Sequence, residues 1–476
     1  MRSFSMRLRA VGAVLALAAP LAGCDDILKV SNPQQIPIAA LADTALITAQ
    51  VRGVISEFED AYTRNNGAWL WSTNFITDEV VTGLNWEDYA RVNQRIVNYT
   101  EGPVQSLWGG LSSVVRLGED VTTKIEDLIS SNDGRIAVAQ LFAGYGYTLI
   151  GEGMCMAVFG TADEPGSTVE TPEQSFQRAI GAFERAISVA TATGQNDVAN
   201  AARVGMARAY LSLKDFPKVI QSASAVPAGF SYWVEYSSAQ SDENNGLFGR
   251  VHGANHTVGV SPFFLNGTFG DLNLVDTQTD PRLQHTPSWS KGHNALTPLY
   301  KPYQGLRFSD YTGNTIAPAS AACPNCTGST PSSSGDTGPL LLWQRGTQVL
   351  LADHLEAQHH LMEAMARQGG NDAAVLAFVN GRRAVGNEAA TSLAGAALFT
   401  ELRRQRSLDF YQGGLRLGDL RRWKRDGVGD FFPTGNHVNQ EWGAYSNWTC
   451  YPLPLQEYEG NPNIQKPADP FTPPGI

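Results

Sequence analysis

The sequence predicts a mainly α-helical protein, built as a frame of helical repeats with a large irregular, loop-rich lobe and short β elements. Two observations predict it. Apolar residues recur at spacings of three and four, as in helices that bury one face, over residues 40–60, 104–129, 136–158, 348–368, 372–384 and 395–412. Residues 227–340 instead are rich in Gly, Pro, Asn, Ser and aromatic residues and show no sustained helical period. A long insertion of this kind usually carries function rather than scaffold.

The stretch 173–226 indicates what kind of frame this is. It reads as helices with polar turns between them, at Ser175–Ala192, Val198–Leu213 and Lys218–Val226. In residues 207–216, small side chains are followed by Tyr210 and by an Asp-aromatic turn, which is the pattern of a tetratricopeptide unit. Residues 179–187 resemble the second helix of the preceding unit. The frame is therefore interpreted as tetratricopeptide-like.

The amino terminus has the pattern of an export signal. Three arginines precede the apolar run Ala10–Ala19, which is too short for a permanent membrane span, and Leu21–Cys24 closes the region. Ending on a cysteine resembles the bacterial lipoprotein signal, in which the Cys24 thiol is lipidated and the chain is cut before it. The sequence thus predicts a globular domain that is tethered to a membrane through lipid and faces an oxidising compartment.

The charge balance narrows the class of partner. The formal net charge is −11, or −14 without the three arginines of the leader. Such a surface repels nucleic acid and anionic lipid headgroups, so no nucleic-acid partner is expected and only the lipid would hold the chain at a membrane. No later segment reaches the roughly 18 apolar residues of a membrane span.

Four cysteines remain after Cys24, and an even number in an exported chain predicts two disulfides with three possible connectivities. Cys323 and Cys326 lie in a loop rich in Ala, Ser, Gly and Pro. A redox-active pair requires a helix amino terminus, and zinc requires a second ligand pair, so a small Cys323–Cys326 clip is favoured. Cys155 and Cys450 are the other candidate pair.

Other titratable residues are expected to be structural. Asp78 and Glu79 are adjacent and point apart on a helix, which suits capping or loop anchoring better than acid–base catalysis. His354, Glu356, His359 and His360 lack the His-Glu-x-x-His spacing of a zinc protease, although Glu356 and His360 share a face and could hold an adventitious metal. No nucleophile elbow, P-loop, dinucleotide fingerprint or EF-hand occurs, so neither an enzyme nor a cofactor is predicted.

Aromatic side chains indicate a binding site more clearly than the titratable residues do. Sugar rings lie flat on Trp and Tyr while their hydroxyls pair with polar neighbours, so exposed aromatics beside polar residues on loops would suit a carbohydrate. Two segments fit, and their candidate ligand-binding residues are Trp71, Asn74, Trp86, Asp88 and Tyr89 in one, and Trp289, Asn294, Tyr300, Tyr303 and Arg307 in the other. The alternative is that large aromatics fill the core, as expected for Trp108, Trp343 and Trp423.

An ordered set of segments resembles the SusD/RagB family of outer-membrane nutrient-uptake lipoproteins. The set is Asp78-Glu79, residues 207–211, Asp280-Pro281-Arg282, residues 379–384, the stretch 401–423 that includes Arg416-Leu417-Gly418-Asp419-Leu420-Arg421-Arg422-Trp423, and the ending 451–463. The charges of Arg416, Asp419, Arg421 and Arg422 are expected to be ion pairs that pin their helix to the frame, rather than an anion site.

The resemblance implies a helical fold on tetratricopeptide pairs, a position at the outer face of the outer membrane, and a SusC-like, TonB-dependent β-barrel transporter as partner. Family ligands are mainly oligosaccharides, with peptides in some members, and no catalytic residue is carried over. A peptide-binding lid and an envelope scaffold for protein partners are the alternatives. The expected organisation is a signal peptide (1–23), an anchor and linker (24–35) and a SusD-like domain (36–476), comprising a frame at about 36–226 and 345–425, a ligand lobe at about 227–344 and an irregular carboxyl-terminal segment (426–476).

Overall fold

The computed structural model describes residues 43–64, 67–83, 86–160, 167–247, 258–265, 268–269, 272–273, 280–283, 290–291, 298–299, 318–320, 323–327, 346–437 and 442–471. The chain divides into two compact units, residues 1–47 and 48–476. Of the first unit only residues 43–47 are described, where the Asp43 side chain caps the 3-10 turn Thr44–Leu46. The predicted signal peptide, the lipidated Cys24 and the linker lie outside the described residues.

Helices dominate the described chain, which confirms the predicted mainly α class. In chain order they are α1 (Ile47–Glu59), continued by a π-helical turn at Asp60–Arg64, α2 (Trp69–Ile76), α3 (Glu87–Asn93), α4 (Gly102–Leu128), α5 (Gly134–Gly153), α6 (Pro172–Thr193), α7 (Asn196–Ser212), α8 (Phe216–Ser224), α9 (Pro262–Leu265), α10 (His354–Gln368), α11 (Asp372–Val385), α12 (Gly395–Asp409), α13 (Arg416–Arg425) and α14 (Leu455–Gly460). A 3-10 turn covers Ser241–Glu243.

The strands form short antiparallel pairs. They are β1 (Val80–Thr82) with β5 (Val258–Val260), β2 (Ala157–Val158) with β3 (Val169–Glu170), β4 (Ser231–Val234) with β12 (Val349–Asp353), β6 (Thr268–Phe269) with β7 (Leu272–Asn273), β8 (Ser290–Lys291) with β9 (Pro298–Leu299), and β10 (Pro318–Ser320) with β11 (Cys323–Thr327). In the described parts of the predicted lobe, the secondary structure consists of short strands and short helical turns such as α9, with no long helix.

One helical prediction was wrong at its start. The pattern placed a helix over 348–368, but residues 349–353 form strand β12 and the helix begins at His354. The apolar run of β12 is buried and pairs with β4. The Asp353 carboxylate then accepts a 2.7 Å hydrogen bond from the Glu356 backbone N–H and so caps α10.

The frame is a succession of packed helices, α4 through α8 followed by α10. Its centre is the Phe183 ring of α6, which lies between Gly144 of α5 and Gly205 of α7. A Cβ atom built at either glycine would come within 2.6 Å of that ring, so small residues allow the close crossing. A capping box at Thr171 starts α6, and Gly194 in the left-handed region ends it.

The carboxyl-terminal segment is fastened to the frame by a disulfide. Cys155, just after α5, is bonded to Cys450, which shows that this one of the alternative pairings forms. On either side of the disulfide, the Cys155 N–H donates to the Tyr451 carbonyl and the Tyr451 N–H donates to the Gly153 carbonyl, each at 2.8 Å. The side chains of Cys323 and Cys326 lie outside the described part of the chain, so the predicted clip remains a prediction.

Replacing both Cys155 and Cys450 by serine should lower the free energy of unfolding by about 2–5 kcal/mol, because the link closes a loop of 295 residues in the unfolded chain. Urea denaturation of the purified domain measures this. Wild-type protein in excess dithiothreitol is the control and should match the variant. An unchanged midpoint in both samples would contradict a stabilising role.

Candidate functional site

The two adjacent carboxylates after α2 are fully buried and hold the carboxyl-terminal helices. The Arg416 Nε lies 3.0 Å from the Asp78 carboxylate, and the Gln412 N–H donates a 2.7 Å hydrogen bond to Glu79. The Tyr411 hydroxyl donates to the Glu79 carbonyl. Burial raises the pKa of Asp78 to about 6 although Arg416 opposes it, and burial raises the pKa of Glu79 to about 8. These contacts match the predicted anchoring role.

The charged side chains of Asp419, Arg421 and Arg422 in α13 also bind groups inside the protein. Asp419 lies 2.6 Å from Arg406 and 2.9 Å from Arg422, rather than pairing with Arg416. Burial favours the neutral acid, but the two guanidiniums hold the pKa of Asp419 well below its usual range. Arg421 donates to the carbonyls of residues 151, 152 and 154. The predicted structural pairing of this helix is thus present.

A second ionic cluster joins the lobe to the frame. The Asp409 carboxylate of α12 lies 2.7 Å from the His359 Nε2, 3.1 Å from Arg282 and 2.6 Å from Arg382. Arg282 belongs to the Asp280-Pro281-Arg282 segment and also pairs with Asp280. Burial lowers the pKa of His359 to about 4, so this imidazole is neutral near pH 7 and acts as a hydrogen-bond partner.

The other two histidines of α10 have partners within the protein. His360 lies 3.2 Å from Glu356 one helical turn earlier, both fully buried, and the His354 ring contacts the Val226 carbonyl. Among the described residues, no group of three or more His, Cys, Asp and Glu side chains is arranged to hold a metal ion.

The first aromatic segment forms a small cluster of tilted and edge-on rings with one exposed ring, here called the Trp86 platform. Trp86 is 43 % exposed, immediately before α3, and its ring lies 5.7 Å from that of Tyr89. Tyr89 in turn packs 5.8 Å from Trp71, and both of these rings are buried. Asn74 is buried as well, while Asp88 is half-buried and accepts a hydrogen bond from the Tyr89 N–H.

Of the five residues predicted here, Trp86 and Asp88 therefore reach the surface, and Trp71, Asn74 and Tyr89 support them from below. Burial follows from the position of Trp71 and Asn74 in α2, all of whose residues are buried. The five predicted residues of the second segment, Trp289, Asn294, Tyr300, Tyr303 and Arg307, lie outside the described part of the chain. Trp108 and Trp423 are buried, as expected of core residues.

A polar cleft that the sequence did not suggest lies nearby, and we call it the acidic cleft. Its volume is about 800 Å³, and its lining is Glu57, Asp60, Arg64, Ser106, Gly109, Gly110, Ser113, Ser241, Asp242 and Asn244–Gly246. The walls come from the end of α1, one face of α4 and the loop around residues 241–246. The acidic run at 57–60 and the Gly109-Gly110 pair inside a helix were the available signals.

The acidic cleft and the Trp86 platform lie along the same helix. A Cβ atom built at Gly102, the first residue of α4, would lie 3.7 Å from the Asp88 carboxylate. Ser106, where the lining of the cleft begins, is four residues further, which is about 6 Å along a helix axis.

Within the residues that the structure describes, no helix has the length and apolarity needed to cross a bilayer. No family model matches the sequence, and no curated protein matches it. Solved structures do match. A SusD-like protein from Bacteroides fragilis is similar over 90 % of this chain and 98 % of its own, with a TM-score of 0.64 and 13 % identity.

Two further structures give the same result. A SusD-like carbohydrate binding protein from Bacteroides fragilis has a TM-score of 0.61 at 12 % identity, over 88 % of this chain and 99 % of its own. A SusD/RagB family protein from Bacteroides thetaiotaomicron has a TM-score of 0.58 at 16 % identity, over 87 % of this chain and 94 % of its own. At these identities the likeness establishes the fold.

Glu79→Gln should flatten the dependence of stability on pH. The folded-state pKa of Glu79 is raised to about 8, so the native state binds more protons than the unfolded state between about pH 4.5 and 8. Its contribution to the free energy of unfolding is present below pH 4.5 and is lost as the pH rises to 8. The glutamine can still accept the Gln412 hydrogen bond.

Thermal melting between pH 5 and 9 measures this difference. Wild-type protein should lose more stability over that range than the variant, with the gap between the two curves opening from pH 5 to 8. Parallel curves would mean that Glu79 titrates alike in the folded and unfolded states.

Proposed function

We propose, on the basis of the SusD fold of this chain, that it is a cell-surface lipoprotein that binds an oligosaccharide nutrient and delivers it to a TonB-dependent outer-membrane transporter. The observation that carries the binding role is the Trp86 platform. An indole that is 43 % exposed and is supported from below by buried Tyr89 and Trp71 is a rigid apolar surface on which a sugar ring can lie.

The comparisons support carbohydrate as the ligand class, since a solved structure of the same fold is described as a SusD-like carbohydrate binding protein. The chemistry of the described residues supports binding rather than turnover. The buried carboxylates and histidines are held by the helices around them, as with Asp78, Asp409 and Asp419. We therefore propose that the protein releases its ligand unchanged.

Placement at the envelope is supported by the leader and by the disulfide. The sequence up to Cys24 has the form of a lipoprotein signal. The Cys155–Cys450 disulfide suits an oxidising compartment, because thiols in the cytosol are kept reduced. The transporter partner is proposed from the family resemblance and follows from the need to move a captured ligand across the membrane.

Trp86→Ala should weaken oligosaccharide binding about tenfold, because it removes a stacking surface worth about 1.5 kcal/mol. Isothermal titration calorimetry against a panel of neutral oligosaccharides, with expected wild-type dissociation constants of roughly micromolar to millimolar, measures this. Phe471→Ala is a matched control, because Phe471 is a similarly exposed aromatic side chain, at 44 %.

Equal affinity of wild-type protein and the Trp86→Ala variant for every bound glycan would remove the platform from the site. Binding of peptides with no binding of any glycan would favour the alternative cargo. Thermal melting of both variants checks that the fold is retained.

Cys24→Ser should release the protein from the membrane, because it removes the acceptor of the lipid. Fractionation and detergent partitioning of cells that express either form measures the shift, and protease treatment of intact cells reports surface exposure of the wild type. Isolation of the wild-type protein with a β-barrel transporter would support delivery. A wild-type protein in the cytosol with an unmodified thiol would refute the localisation.

A further inference from the structure

We infer that the acidic cleft is a saccharide subsite that selects sugars carrying a free, protonated amine. This inference rests on the proposed function, because it takes the ligand to be an oligosaccharide that also contacts the Trp86 platform. The Trp86 platform can bind many sugars, and the acidic cleft would restrict the ligand to those that carry an amine.

The cleft has the volume of a ligand site. Its volume of about 800 Å³ lies within the range of small-molecule pockets. The loop that closes one side is firmly placed, because the Asn245 side chain donates to the Thr347 carbonyl at 2.9 Å and accepts from the Leu247 N–H at 3.0 Å. The cleft thus lies between three chain segments, one of which is held in place by these hydrogen bonds.

The residues of α4 that line the cleft have small side chains or none. Ser106, Gly109, Gly110 and Ser113 of α4 line it, so hydroxyls and bare backbone face the space. A Cβ atom built at Gly109 would meet nothing within 4 Å, so packing does not require a glycine there. A glycine inside a helix nevertheless disfavours that helix. Such a wall admits a bulky polar ring and offers no apolar side chain to a hydrophobic residue of a peptide.

Three acidic side chains line the cleft, Glu57, Asp60 and Asp242, against the single guanidinium of Arg64, which pairs with Asp60. Arg64 is already engaged, because its guanidinium contacts Glu59 at 2.9 Å, Asp60 at 2.7 Å and the Asp242 carbonyl. Among the described residues, none donates a hydrogen bond to the Glu57 carboxylate, which also lines the cleft. Carboxylates therefore outnumber the available cations.

The raised pKa values of the Glu57 and Asp60 carboxyl groups agree with a site that has too few neighbouring cations. Burial raises the pKa of Glu57, and the nearby Asp60 raises it further, while Arg116 and Arg64 oppose this. Burial likewise raises the pKa of Asp60. An ammonium group seated among these carboxylates would be attracted to them in a site partly shielded from water, whereas the neutral amide of an acetylated sugar would not.

The test compares two ligands of equal length on the full mature protein, a glucosamine tetramer with free amines and the same tetramer fully N-acetylated. Calorimetry at low salt should show at least about tenfold tighter binding of the free-amine form, and the preference should shrink at 0.5 M salt. Glu57→Gln should bring the preference for the free-amine form down to about threefold or less.

A second variant tests whether the ligand binds in the acidic cleft, independently of the charge of Glu57. Gly109→Phe projects a side chain into the cleft, where space is open, and should weaken binding of the free-amine tetramer at least about tenfold. Gly181→Phe is the matched control. Gly181 lies inside α6, and a Cβ atom there also meets nothing within 4 Å, but it lies outside the cleft. The control should bind as wild type.

Equal or tighter binding of the acetylated tetramer by wild-type protein would overturn the inference, as would an unchanged preference in Glu57→Gln. Free-amine binding that survives Gly109→Phe would place the subsite elsewhere. These failures are separable from failure of the proposed function, since neutral glycans that bind through Trp86 and lose affinity in Trp86→Ala would leave the general carbohydrate role intact.

Discussion

The fold depends on a buried ion pair between residues that are 338 positions apart, Asp78 after α2 and Arg416 at the start of α13. Both side chains are taken out of water, so each needs the other, and loss of either partner leaves an unpaired buried charge. The neighbouring Glu79 and Gln412 add a hydrogen bond to the same junction. The segment after α2 and the start of α13 are therefore joined through polar contacts, and α3 with its exposed Trp86 packs against α2, which immediately precedes this junction.

Much of the frame could be predicted from the sequence because its signals are local. The helices of 173–226 have regular apolar spacing and polar turns, and α6, α7 and α8 lie where the pattern placed them. The SusD fold suggested by the ordered motifs is confirmed by structural likeness over most of the chain. Strand β12 was missed because a short buried apolar run has no periodicity that separates strand from helix, and pairing with distant β4 decides it.

The site was harder to predict, because exposure is a tertiary property. Trp71 and Trp86 have similar aromatic and polar neighbours in the sequence, yet Trp71 is buried at 4 % and Trp86 is exposed at 43 %. The acidic cleft depends on three segments, and nothing local brings Glu57 to face Gly109 and Asp242. The acidic run at 57–60 is visible in the sequence, but only the fold brings it opposite α4 and the 241–246 loop.

The Asp280-Pro281-Arg282 segment is joined to the frame through ionic contacts, with Arg282 held by Asp409 and Gln405 of α12. A small number of such contacts is enough to hold this segment in place, because each charged hydrogen bond is directional and is strong when buried. Removing Arg282 would leave the buried carboxylates of Asp280 and Asp409 with fewer counter-charges, so substitutions at this contact are expected to be tolerated only in combination.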